Sequence, residues 1–118
     1  MAAGTHNIVI EQAATFVLPL LWKDADGDPI PLTGAVARMQ IRAAYGAATA
    51  LITLTSAPGG GIVLVDPGQI TITITDEQTD VLVNRSAVYD LRLDWPDGTS
   101  TRLIGGKVTI KPAATLDA

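Results

Sequence analysis

From Gln69 to Thr75 the chain reads Gln-Ile-Thr-Ile-Thr-Ile-Thr. An unbroken alternation of apolar and polar residues suits a half-buried β-strand and misfits an α-helix, whose apolar face recurs every three to four residues. Ile70, Ile72 and Ile74 are therefore expected on a core face, with Thr71, Thr73 and Thr75 opposite. The same period recurs from Val88 to Trp95, with Tyr89, Leu91, Leu93 and Trp95 inward and Asp90, Arg92 and Asp94 outward. It recurs from Ala35 to Arg42, with Met39 and Ile41 inward. Shorter β-type runs lie at 7–10, 15–23, 50–55, 62–65 and 101–110.

Turn chemistry separates these runs. Trp95-Pro96-Asp97-Gly98-Thr99 predicts a hairpin, and loops are expected at 24–31, 57–61 and 66–68. Thr75 followed by Gln78 has capping-box spacing with Asp76 and Glu77 between, so one helical turn is expected near 76–82. The fold class predicted is all-β: an Ig-like antiparallel β-sandwich of about seven to eight strands. Tyr89, at a strand start after a helical connection, has the placement of a tyrosine corner. The expected division is an N-terminal arm or first strand at 1–12, the sandwich at 13–112 and a tail at 113–118.

Composition narrows the function. The chain has 118 residues, enough for one core, and no cysteine, so neither disulfides nor thiolate metal sites hold it together. A net charge of −4 with only 8 Lys and Arg argues against phosphate binding, so no nucleic-acid partner is expected. No stretch has the length and hydropathy of a membrane helix, and Met1–His6 lacks the pattern of a secretory signal. Only 17% of residues are charged, against about 25% in typical soluble domains, which suits either a β-rich core of Ala, Val, Ile, Leu and Thr or a chain with surface reserved for partners.

No motif assembles a catalytic or metal centre. Asp24-Ala25-Asp26-Gly27-Asp28 has alternate carboxylates, but Gly27 stands fourth and Ala35 twelfth where an EF-hand loop needs Gly sixth and Glu twelfth. It is read as a solvated turn. His6, the single histidine, lies in the N-terminal segment, away from any rigid nucleophile. Gly59-Gly60-Gly61 lacks the Lys-Ser/Thr and the helix of a phosphate loop, and is read as a hairpin loop. A sugar-binding platform would need exposed aromatics, whereas Trp22, Tyr89 and Trp95 fall in core register. No cofactor is expected.

The segment 15–22 is apolar on both faces. Phe16, Leu18, Leu20 and Trp22 share one, and Val17, Pro19 and Leu21 the other. A sandwich strand meets the core with one face only, so the second must be covered by a loop, an arm or another chain. Pro19 cannot donate to a ladder, so this strand is expected at an edge or with a bulge there. Ile8 and Ile10 alternate like a strand and could complete their own sheet or a neighbour's at that edge. The candidate partner interface is thus Ile8, Ile10, Val17, Pro19 and Leu21.

The segments TFVLPLLWKDADGDPIPLTGAVARMQIR, GQITITITDEQT and AVYDLRLDWPDGTSTRLIGGKVTIKP together resemble small structural proteins of tailed bacteriophages and prophages, including Ig-like domains of baseplate and tail-fibre-attachment components. The resemblance rests on the Trp22–Gly27 turn, Leu32-Thr33-Gly34, Met39–Arg42, Tyr89-Asp90-Leu91 and the Asp97-Gly98 hairpin. It implies a non-enzymatic virion protein assembled in the bacterial host cytoplasm, in symmetric copies, contacting other virion structural proteins. Tail, baseplate, fibre-attachment or collar roles are compatible with it. Capsid decoration and a carbohydrate-binding module are the alternatives.

Overall fold

A computed structural model describes residues 4–82 and 86–114. Among the described residues are nine strands and one short helix: β1 (Gly4–Thr5), β2 (Ile8–Glu11), β3 (Phe16–Leu21), β4 (Val36–Arg42), β5 (Ile52–Thr55), β6 (Ile62–Val65), β7 (Gln69–Ile74), α1 (Asp76–Asp80), β8 (Ser86–Asp94) and β9 (Ser100–Lys111). The larger sheet has the order β1-β9-β8-β4-β5, with β2 following β1 along the same edge of β9. The smaller sheet has the order β3-β7-β6. The two stack as a β-sandwich.

The alternation places the core. Ile70, Ile72 and Ile74 are fully buried, as are Tyr89, Leu91 and Leu93 from the facing sheet, with Met39 and Ile41 beside them. Each such side chain contributes about 1.5–3 kcal/mol by leaving water. Trp22 and Trp95 are partly buried and pack together, ring centroids 6.2 Å apart, and the Trp95 indole donates to the Thr101 hydroxyl at 3.1 Å.

The expected helical turn forms, held by local chemistry. Thr75 Oγ1 accepts from the Gln78 amide at 3.2 Å, and Gln78 Oε1 accepts from the Thr75 amide at 3.0 Å. Thr79, fully buried, satisfies its hydroxyl by donating to the Ala14 carbonyl at 2.8 Å, which fastens the helix to the β2–β3 connection.

Three expectations are corrected. The sandwich is not wholly antiparallel, because β1 and β2 both run parallel to β9, Ile8 opposite Val108 and Ile10 opposite Ile110. Gly59–Gly61 is not a hairpin loop: β5 and β6 belong to different sheets, so it crosses between layers. There the Thr55 amide donates to the Gly60 carbonyl at 2.9 Å and the Thr73 amide to the Gly61 carbonyl at 2.8 Å. Tyr89 makes no local corner either, since its hydroxyl donates to the distant His6 carbonyl. By contrast the Trp95–Thr99 hairpin forms as expected, closed by the Trp95 amide on the Thr99 carbonyl at 2.9 Å.

Candidate interaction surface

The outer face of the smaller sheet is built from three strands in register. Val17 lies opposite Thr73, Pro19 opposite Thr71 and Leu21 opposite Gln69; across β7, Thr71 faces Val63 and Gln69 faces Val65. None of these side chains carries a charge. Val17 is 56% exposed, Leu21 50%, Val63 58% and Val65 49%, so five apolar positions, with Pro19, stand in solvent around a central Thr/Gln column. The face exists because the inward halves of the same strands, Phe16, Leu18, Leu20, Ile62 and Leu64, are drawn onto the core. β3 and β6 are both edges of this sheet, and Pro19 on β3 conforms to the rule that confines proline to such edges.

The outer face of the larger sheet differs in carrying charge, although Val9 and Val36 are also about half exposed on it. Arg38, Arg92 and Arg102 stand there with Asp90 and Asp94, paired at 3.0–3.3 Å. A charged, hydrated face is the ordinary exterior of a sandwich, and a face with exposed valine and leucine and no charge among them is the departure.

Of the five interface positions expected from sequence, Val17, Pro19 and Leu21 share this face. Ile8 and Ile10 do not. Both are buried, 4% and 0% exposed, in the common core, because β2 pairs with β9 in the chain's own larger sheet and points them inward. The described part of the N-terminal segment therefore joins the sheet opposite the one Pro19 edges; residues 1–3 lie outside the described residues. Val63 and Val65 were missed, although the run Ile62-Val63-Leu64-Val65 carries the same two-sided apolar signal as Phe16–Leu21.

The remaining sequence motifs resolve as structure. Asp24 Oδ1 accepts from the amides of Asp26 at 2.9 Å and Asp28 at 3.0 Å, so its carboxylate closes the turn. Asp66 accepts from the Thr33 hydroxyl at 2.6 Å and the Leu32 amide at 2.7 Å, which together hold its carboxyl below the usual range and staple the β3–β4 loop to the β6–β7 hairpin. His6 contributes its backbone carbonyl to Tyr89. Tyr45 is the exposed aromatic; Phe16, Trp22, Tyr89 and Trp95 are buried or partly so, and they form no platform. Among the described residues no three His, Cys, Asp or Glu side chains cluster as metal ligands, and no helix is long and apolar enough to cross a membrane.

Two stacked sheets, a core made of their facing halves and one uncharged outer face define a structural β-sandwich domain. The chain matches the family described as LtfC-like, beta-sandwich domain, over residues 3–111. It belongs to that family, a phage tail-fibre-associated group, so the chain is a phage β-sandwich protein of virion-associated type. No curated protein matches it. Among solved structures, the chain is similar to extracellular domains 3–5 of Drosophila OTK at 15% identity and a TM-score of 0.38, covering 91% of this chain and 33% of that one.

Proposed function

We propose that this chain is a non-enzymatic structural component of a phage virion, a tail, baseplate or fibre-attachment adaptor, that binds a neighbouring virion protein through the uncharged face of Val17, Pro19, Leu21, Val63 and Val65. The observation carrying this reading is the asymmetry of the sandwich: one outer face carries arginine–aspartate pairs, whereas the other carries exposed aliphatic side chains around a Thr/Gln column and no charge. Burying exposed aliphatic side chains favours association by about 25 cal/mol per Å² of apolar surface, and a face without charge avoids the large cost of desolvating an ion. The fold is of Ig-like type in this reading. The order β9-β8-β4-β5 in one sheet and β3-β7-β6 in the other follows the strand sequence of such domains, without their inter-sheet disulfide.

The test is Leu21→Glu. Its side chain stands in water in the isolated domain, so the variant should keep the wild-type melting temperature. It should nevertheless be lost from assembled particles, with copies counted by mass spectrometry. An unfolded variant would mean the face is already covered within the monomer. Incorporation at normal copy number would mean that no partner uses it. Either result overturns the assignment.

A further inference from the structure

The larger sheet brings three arginines into one row. Arg38 on β4 lies directly opposite Arg92 on β8, and Arg92 lies opposite Arg102 on β9. Like charges placed opposite one another across strands destabilise a sheet. Two carboxylates relieve part of the cost. Asp94 takes Arg38 Nε at 3.0 Å and Arg92 Nε at 3.3 Å, and Asp90 takes Arg102 Nη2 at 3.3 Å. Asp94 also accepts from the Ser100 hydroxyl at 2.6 Å. Three guanidiniums present about fifteen N–H donors, whereas two carboxylates offer about eight acceptor sites, so the row is left with unused donors and an excess positive charge. The side chains of Arg38, Arg92 and Arg102 are about half-exposed or more and, with Asp90 and the polar Gln40, Thr53 and Thr55, line a hollow of about 410 Å³. Arg42, Lys107 and Lys111 extend the positive charge along the same outer face, where Glu11 opposite Lys111 offsets one of them.

Five of the twelve acidic residues gather on one set of loops. The loops β3–β4, β6–β7 and β8–β9 meet at one end of the sandwich: Asp66 is bonded to Leu32 and Thr33, and a Cβ on Gly34 would meet Pro96 at 2.6 Å. Asp24, Asp26, Asp28, Asp66 and Asp97 all lie on these loops, against Lys23 alone of the basic residues. At the tip, the Asp24–Asp28 turn is fixed by its own hydrogen bonds, with the Asp24 amide donating to the Asp28 carbonyl at 2.9 Å and the Gly27 amide to the Asp24 carbonyl at 3.0 Å. Asp26 and Asp28 are exposed.

We propose that the arginine row docks a second copy of this chain, whose acidic loop end, led by Asp26 and Asp28, enters the hollow over Arg38, Arg92 and Arg102. The argument is charge complementarity. A chain of net charge −4 keeps an excess of cations on one sheet face and an acidic turn, held by its own hydrogen bonds, at one end, so a neighbouring copy presents the matching sign. Arginine suits the role because its planar fork pairs carboxylates bidentately. The contact is heterologous: each copy uses its hollow for one neighbour and its tip for another, which generates a ring or a filament. This proposal is independent of the partner bound by the Val17–Val65 face.

The experiment is sedimentation velocity on the purified chain. At an ionic strength of about 0.02 M the wild type should self-associate with rising concentration, and at about 1 M, where screening acts within about 3 Å, it should be monomeric. Arg92→Glu, and separately Asp26→Lys with Asp28→Lys, should each weaken self-association at least tenfold while keeping the wild-type melt. Mixing the two variants should restore association, because each retains a surface matched to the other's. Should either variant lose its fold, Arg102→Glu with Asp26→Asn and Asp28→Asn repeats the comparison of self-association. A wild type monomeric at low salt, a charge variant that associates as well as wild type, or folded charge-swap variants that fail to associate on mixing would overturn the proposal.

Discussion

The Tyr89 hydroxyl donates to the backbone carbonyl of His6, joining residues 83 apart in the chain. His6 lies between β1 and β2, and its amide donates to the Gly105 carbonyl at 3.0 Å while Asn7 Oδ1 accepts from the Lys107 amide at 3.0 Å. These bonds and the Ile8 and Ile10 side chains make the N-terminal strands part of the sandwich.

Burial, with Tyr45 adding to it, pushes the Tyr89 phenol up to about 12. In the unfolded chain a tyrosine ionises near pH 10. Between these values the native state holds a proton that the unfolded state has lost, so the associated stability is intact below about pH 10 and disappears as pH rises towards 12. Thermal melts across that range should show a falling melting temperature, and Tyr89→Phe should flatten part of the decline. Identical alkaline slopes in the two proteins would contradict this account of the phenol.

Gly106 lies opposite Tyr89, and a Cβ there would sit 2.6 Å from the His6 carbonyl oxygen and 2.8 Å from Asn7 Oδ1. Glycine inside a strand marks a close backbone approach, here that of the N-terminal segment. Gly106→Ala should cost about 1–3 kcal/mol, the range for forcing an extra carbon into a packed site. Amide exchange should show the loss concentrated at residues 7–11. Unchanged protection there, with an unchanged urea midpoint, would show that the segment tolerates the methyl group.

Ile72 is fully buried between Leu18 and Ile62 on the neighbouring strands, whereas its neighbour Thr73 looks outward beside Val17. Ile72→Ala should cost about 2–5 kcal/mol in denaturant melts. Thr73→Ala should cost under about 1 kcal/mol, as surface changes do. The reverse ranking would mean that the strand's register is off by one residue.

The sequence alone determined the features that depend on near neighbours. Alternation in Gln69–Thr75 and Val88–Trp95 assigned strand and face together, since successive residues of a strand must point oppositely. Thr75 and Gln78 announced the helical turn because a capping box closes within four residues. The two-sided apolar character of Phe16–Leu21 was legible as a surplus that one core cannot absorb.

Tertiary structure decided everything that depended on which strands meet. Ile8 and Ile10 alternate equally well for a partner's sheet or their own, and only the parallel pairing of β2 with β9, about a hundred residues away along the chain, turned them inward. Val63 and Val65 joined Val17 and Leu21 on one surface because β7 stands between β6 and β3. Arg38, Arg92 and Arg102 look like three scattered cations in the sequence, and register alone set them side by side. The physical reason is common to all three cases: alternation fixes the face of a residue within its strand, whereas neighbours across strands are set by the packing of the whole core.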